Sequence, residues 1–249
     1  MMGGSAPQTR KSHEPKKPWA GAMRAKDLDV VRTLPPFGGM DDAAVEALTY
    51  GALLQRLPRE TTLFEEGDPA DFLHVLVDGS AMLCGRDQAG QETVIEILKA
   101  GDCFVPAAVL TDAPYLMSAK VLEPSQVLML PAPVVREQVM REPKFAQYLL
   151  KEMAGQFRGL VREVKDLKLC TTTQRLAAFI LAQGSPAVDG MTFELPVSKR
   201  ILASRLGMTP EQLSRALGKL SRHDLHISGG TIQVRSIERL RRCCHQRDL

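Results

Sequence analysis

Apolar positions change their period along this 249-residue chain, and each change marks a different kind of element. From Leu53 to about Leu130 they come in short β-prone runs: Thr61 to Phe64, Phe72 to Val77, Ala81 to Cys84, Thr93 to Leu98, Ser118 to Leu122 and Gln126 to Leu130. Turn-forming stretches divide them, among them Glu65-Glu-Gly-Asp-Pro69, Asp78-Gly79, Asp87-Gln-Ala-Gly90 and Gly101-Asp102. Turn signals roughly every 8–12 residues predict an all-β sandwich or barrel. After Pro143 the period lengthens. Ala146, Leu150, Met153, Phe157, Leu160, Val164 and Leu167 alternate spacings of four and three, with charged residues beside them. That heptad pattern predicts a long helix over about 144–169 that pairs with a second copy. Its interface is then Leu150, Met153, Phe157, Leu160, Val164 and Leu167; a helix packed on its own domain is the competing explanation. Shorter helices are predicted at Asp41 to Tyr50 and Thr171 to Ala182.

The C-terminal stretch Thr209 to Leu220 reads as a helix with a signalled start. Thr209 suits the cap, Pro210 the first helical position, and Gln212 completes a capping box three residues on. Leu213, Leu217 and Leu220 make an apolar face, while Glu211, Ser214 and Arg215 fall together on another. Those three suit base edges in a major groove: Glu accepts from cytosine N4, Arg grips guanine O6 and N7 in a bidentate fork, and Ser serves either way. An ordinary surface helix also carries Glu and Arg four apart, so the neighbours decide. Upstream, Val197 to Leu206 predicts a second helix, and Gly207-Met208-Thr209 is the tight connection that helix-turn-helix units favour. Downstream, Ile227 to Val234 is a hairpin around Gly229-Gly230. In that order they make a winged helix-turn-helix.

Charge sharpens the picture. Net charge is +3, yet residues 196–249 hold 11 Lys and Arg against 4 Asp and Glu, and residues 1–26 hold 6 against 1, which leaves the middle at −9. A basic module on an acidic body fits a phosphate-binding footprint. Residues 1–24, rich in Pro, Gly, Lys and Ser, predict disorder, and Met23 offers an alternative start that would make the residues before it an artefact. No apolar run spans a membrane and no leader-like segment opens the chain, which predicts a cytoplasmic protein without membrane contact. Five cysteines (Cys84, Cys103, Cys170, Cys243 and Cys244) without a C-x-x-C pair predict reduced thiols and no metal framework. Cys243-Cys244 beside Arg241 and Arg242 is either a reactive pair or, as the preferred reading, an inert tail. No nucleophile elbow or phosphate loop occurs, so an enzyme is not predicted.

A β-barrel, a long dimer helix and a winged helix-turn-helix in this order resemble the cyclic-AMP receptor protein/FNR family of bacterial transcription regulators. Glu66-Gly67-Asp68, Val77-Asp78-Gly79 and Gly101-Asp102 add to the likeness, which covers the chain from about residue 26. The resemblance implies an α+β fold: a disordered extension (1–25), a β-roll sensor domain of the cyclic-nucleotide-binding, double-stranded β-helix type (26–142), a dimerisation helix (143–169) and a winged helix-turn-helix domain (170–249). Glu211-x-x-Ser214-Arg215 resembles the FNR-type recognition pattern. It implies a homodimer on a palindrome of TTGAT-like half-sites, with Glu211, Ser214 and Arg215 reading bases. Lys199, Arg200, Thr209, Gln212, Lys219 and Arg222 then contact the DNA backbone. RNA polymerase is the further partner implied.

The sensor end departs from the family's best-known branches. Val105-Pro-Ala-Ala-Val-Leu110 stands where the cyclic-AMP pocket has Gly-Glu-Leu, and no Arg occurs between Cys103 and Ala119. An unpaired buried phosphate is prohibitive, so cyclic AMP is not the expected effector. Residues 1–83 contain no cysteine, so the FNR iron-sulfur cluster is not expected either. An apolar pocket with FNR-type DNA reading resembles the DNR branch, linked to nitric oxide and haem, which makes haem a candidate cofactor. The pocket candidates are His74, Cys103, Phe104, Val105, Leu116 and Met117, with His13 as a further haem ligand. His74 and Cys103 also read simply as packed strand residues. The competing function is a small-molecule-binding module whose helix-turn-helix mediates protein contacts.

Overall fold

The structure, a computed structural model, describes residues 22–88, 90, 92–183, 189–194, 198–221, 225–228 and 231–245. His13, Arg222 and the Gly229-Gly230 turn lie outside them. The chain opens with α1 (Ala25–Arg32), a 3-10 turn (Pro35–Phe37) and α2 (Asp42–Leu48), whose cap is Asp41 accepting from the Ala44 N–H at 2.8 Å. Eight strands follow: β1 (Leu53–Leu57), β2 (Thr62–Phe64), β3 (Phe72–Asp78), β4 (Ser80–Arg86), β5 (Glu92–Lys99), β6 (Cys103–Phe104), β7 (Ser118–Val121) and β8 (Ser125–Pro131). The short α3 (Pro106–Thr111) interrupts them between β6 and β7, and α4 (Ala132–Arg141) closes the domain.

All pairings are antiparallel. One sheet runs β1-β8-β3-β6 and the other β2-β7-β4-β5. Between them lies a core of fully buried Leu73, Leu76, Leu128, Leu130 and Phe104, on which Val31, Leu48, Val109 and Val135 from the helices also pack. This is the β-roll expected from the alternating runs.

The helix α5 (Pro143–Leu169) has 27 residues, about 40 Å at 1.5 Å per residue. Only Phe145 and Leu149 of it are buried, against the roll. The C-terminal part comprises α6 (Thr172–Gln183), β9 (Thr192–Glu194), α7 (Lys199–Arg205), α8 (Pro210–Ser221), β10 (Leu225–Ser228), β11 (Thr231–Val234) and α9 (Ile237–His245). The wing is a three-stranded sheet in the order β10-β11-β9. A second apolar core, including Leu176, Ile180, Leu202, Leu213, Leu217 and Leu240, unites these elements.

Cys243 and Cys244 belong to α9 and lie partly buried against this core rather than in a tail. Burial, with Cys243 and Cys170 nearby, pushes the Cys244 thiol up to about 11, the opposite of thiolate activation.

The β3–β4 turn carries the tightest backbone approach of the roll. Gly79 has φ +88°, and a Cβ there would lie 2.2 Å from Ser125 Oγ and 2.9 Å from the Pro124 carbonyl oxygen. Ser125 Oγ also accepts the Ser80 N–H at 3.2 Å and donates to the Glu123 carbonyl at 2.8 Å, so it has little room to yield. Gly79→Ala therefore adds left-handed strain to overpacking and is expected to destabilise the sensor domain by roughly 2–4 kcal/mol. A lower urea midpoint for the sensor transition, partly restored by Ser125→Gly in the same chain, is the outcome to look for.

Candidate functional site

The recognition helix α8 is built from its cap inward. The Thr209 N–H donates to Gln212 Oε1 at 2.9 Å and the Gln212 N–H donates to Thr209 Oγ1 at 3.3 Å, a reciprocal capping box. Leu213, Ala216, Leu217 and Leu220 are buried, which fixes the rotation of the helix about its axis. Glu211, Ser214 and Arg215 consequently all face solvent. Hydrogen bonding from the Thr209 hydroxyl holds the Glu211 carboxyl below its ordinary range, with Arg215 adding a smaller effect, so Glu211 is ionised at neutral pH.

The turn before α8 is tied down from behind. Arg175 of α6 donates from Nε to the Leu206 carbonyl at 2.9 Å, from Nη2 to Gly207 at 3.1 Å and from Nη1 to Cys170 at 2.9 Å. Gly207 has φ +60°, and a Cβ there would meet Leu167 Cδ2 at 2.6 Å. The helix-turn-helix turn thus rests on the last turns of α5.

Lys199, Arg200 and Lys219 are exposed around the reading face. A groove of about 360 Å³ runs between the start of α7, the trailing edge of α8 and the wing; it is lined by Lys199, Ser214, Gly218, Ser221, His226 and Arg235. Arg235 and His226 escaped the sequence reading. Arg235 could have been found as the cation directly after the second wing run. Thr209 and Gln212, expected at the DNA backbone, serve the helix cap here.

Along α5 the heptad stripe is laid open. Leu150, Phe157, Leu160, Val164 and Leu167 are 47–67% exposed in the protomer, with Met153 half-buried. A contiguous apolar row of that kind marks an interface.

The sensor residues do not converge as the sequence suggested. His74 pairs with Phe104, and Val75 with Cys103, across β3 and β6. Cross-strand partners share a face and neighbours alternate, so Cys103 faces away from His74. Leu116 is 81% exposed and Met117 only partly buried. His74 is 2% exposed, and neither of its ring nitrogens makes a well-formed hydrogen bond among the described residues.

Four rings surround it: Phe64, Phe104, Phe72 and Tyr115, with centroids 5.2, 5.9, 6.4 and 6.4 Å away. Phe64 and Tyr115 stack at 3.8 Å, and the Tyr115 hydroxyl donates to the Phe72 carbonyl at 2.7 Å. Burial drives the His74 pKa down to about 4, with the Phe72 backbone opposing that shift. The imidazole is therefore neutral at pH 7.

Beside it Val105, a β-branched residue, takes φ +37°, a conformation that glycine adopts freely, and Pro106 opens α3 without an N–H. Arg136 of α4 donates to Asp112 Oδ1 and to the Val109 carbonyl, each at 3.0 Å, so its charge is spent at the far end of α3. Lys120 is paired with Glu60 at 2.7 Å.

Both parts of the chain match known families. Residues 54–142 match the cyclic nucleotide-binding domain family, and residues 174–243 match the Crp-like helix-turn-helix domain. The CRP-like cAMP-activated global transcriptional regulator of Mycobacterium tuberculosis is 23% identical over 211 residues, 83% of this chain and 94% of that protein. The global nitrogen regulator of Synechococcus elongatus is 25% identical over 173 residues, 67% of this chain and 78% of that protein. Among solved structures, FixK2 from Bradyrhizobium japonicum shares the fold at a TM-score of 0.69 and 24% identity, covering 77% of this chain and 96% of that one. Among the described residues, no helix is long and apolar enough to cross a membrane.

The buried imidazole makes stability depend on pH. Its folded pKa, about 4, lies below the ordinary 6.5, so between these values the unfolded chain binds a proton that the folded one does not. The stability is fully present above pH 6.5 and is lost as pH falls toward 4, by roughly 3 kcal/mol in total. The melting midpoint is expected to drop between pH 7 and pH 5, with a shallower drop in His74→Phe.

Proposed function

The chain belongs to the cyclic-AMP receptor protein/FNR family of DNA-binding transcription regulators, and we propose that it reads a palindrome of TTGAT-like half-sites as a homodimer, under an effector other than cyclic AMP. The observation that carries this reading is the recognition helix. Its buried leucines force Glu211, Ser214 and Arg215 together onto an open face. Arg215 reaches guanine, Glu211 the paired cytosine, and Ser214 the neighbouring thymines. Lys199, Arg200, Lys219 and Arg235 take the phosphates on either side, which positions the helix without specifying sequence.

The apolar row on α5 supports the homodimer. Two modules one helical turn of DNA apart supply the specificity that a single half-site lacks. RNA polymerase is the further partner of a regulator bound in this way.

The effector reading rests on charge. A cyclic phosphate entering the roll would meet Val105, Pro106 and a neutral His74, while the nearby cations Arg136 and Lys120 are already paired. A small, apolar or aromatic molecule suits these walls better than an anion. Haem fits poorly. Phe64 and Tyr115 stand against His74 where a macrocycle would lie, and Cys103 faces the other way, so His74 could ligate iron only if those rings moved. An absorption spectrum after haem addition, without a stoichiometric Soret band, is the expected result.

Arg215→Ala is expected to weaken binding to the selected site by roughly 1–3 kcal/mol and to relax the choice at the guanine alone. Lys219→Ala should weaken all sequences alike and reduce the slope of log affinity against log salt by about one. Fluorescence anisotropy over a salt series separates the two. A module that contacts only protein would show neither base preference nor salt slope. In the same reading Phe157→Glu with Leu160→Glu yields a monomer in sedimentation, which binds the full palindrome no better than one half-site.

A further inference from the structure

The sensor and the helix-turn-helix are joined by a contact that the readings above do not use. Strand β5 is the edge of its sheet, and an edge strand presents N–H groups that the sheet leaves unpaired. Helix α7, the first of the helix-turn-helix, lies along it. The Val94 N–H of β5 donates to Ser204 Oγ of α7 at 2.8 Å. Ile201 packs into a small apolar cluster of Met82, Cys84 and Val94. One residue beyond Ser204, Arg205 holds two carboxylates on two different elements: Nη1 lies 2.6 Å from Glu163 of α5, and Nη2 3.3 Å from Glu96 of β5.

We infer that Arg205 is a positioning residue: by bridging Glu163 of the dimer helix and Glu96 of the sensor's edge strand, it sets where the helix-turn-helix sits, and thereby the half-site spacing that a dimer accepts. The spacing part rests on the dimeric DNA reading proposed above; the docking part does not.

Three features support it. Arg205 is shielded, its side chain 20% exposed, and Glu163 is 25% exposed, so the pair is not a solvated surface contact. Burial raises the Glu163 pKa, and the Arg205 guanidinium opposes that rise. Helices α7 and α8 also share one apolar core through Leu202, Ala203, Leu213 and Leu217, so whatever fixes α7 fixes the reading helix with it. The reading face stays open while α7 is docked, which makes the contact compatible with bound DNA. A guanidinium suits the task better than an ammonium, because its fork reaches two acceptors from fixed directions.

The Val94 amide reports the docking directly. In the full-length protein without DNA, Arg205→Ala is expected to speed hydrogen exchange at Val94 by about tenfold or more. Amides inside each domain, such as Leu128 and Leu217, should keep their rates. Arg205→Lys, which retains the charge but not the fork, should fall between. Unchanged exchange at Val94 in Arg205→Ala would overturn the inference. If that variant misfolds, Glu163→Gln and Glu96→Gln, each removing one acceptor, carry the same expectation and the same refutation.

The second arm uses DNA. Wild-type protein selects its site from random duplexes, and the two half-sites are then separated by spacers of different lengths. Arg205→Ala should flatten the spacer preference by about fivefold or more while leaving base preference inside the half-site intact. An equally sharp spacer optimum, a loss of base preference, or tighter binding than wild type would each count against it, the last by showing that the contact holds a non-binding arrangement. A wild type that selects no sequence fails the DNA reading instead, and the exchange arm still decides the docking.

Discussion

One helix has to satisfy three different neighbours, and the rest of the molecule is arranged around that demand. The first turns of α5 are buried in the sensor through Phe145 and Leu149. Its middle and end carry the apolar row from Leu150 to Leu167, which the described residues leave largely open. A third face holds Glu163, turned toward Arg205 of the helix-turn-helix. A 3.6-residue period allows this division, because positions three and four apart stay on one side while those between them rotate away. Any shift or rotation of α5 would therefore be felt at the roll, along the exposed apolar row and at the helix-turn-helix together.

Local patterns made the scaffold legible. Alternating apolar runs between turns correspond to most strands of the roll, and the cap at Thr209 with its leucine row located α8 and the exposed triad Glu211, Ser214 and Arg215 on it. What escaped was set by partners distant in sequence. The inward set of the roll depends on the register of β3 with β6. That register separates His74 from Cys103, while Phe64 on β2 and Tyr115 after α3 reach His74 from other elements. The short α3 hides behind Pro106 and a strained Val105. The highly charged α9 is half covered by α6, and its polar residues read as a tail. Arg205 looked like any helix cation, since one of its carboxylate partners lies 109 residues away.

The surroundings of His74 inside the roll carry an energetic consequence. A neutral imidazole without a well-formed hydrogen bond, ringed by aromatic side chains, is costly to leave unsatisfied, by about 1–3 kcal/mol for a buried polar group. It is a place where a ligand with one polar atom and an aromatic or aliphatic body would gain more than a charged one. The left-handed Val105 keeps the backbone turn that a glycine would make there, yet its side chain and the missing N–H of Pro106 remove the features by which such a turn could hold a phosphate.

These points constrain how a signal could travel. An effector can shift the equilibrium between two dimer arrangements only by its difference in affinity for them. Side-chain ties between sensor and helix-turn-helix run through β5 and through Glu163 of α5, the two elements that Arg205 bridges. A ligand that moves β4 or β5 by a fraction of an ångström would strain the Val94–Ser204 hydrogen bond and the Glu96 contact while leaving Glu163 in place. Packed interfaces answer such strain by switching rather than by bending continuously. The helix-turn-helix would then pivot about the Arg205–Glu163 pair, and because Arg175 welds the turn to the end of α5, the pivot would swing the reading helix as a rigid unit.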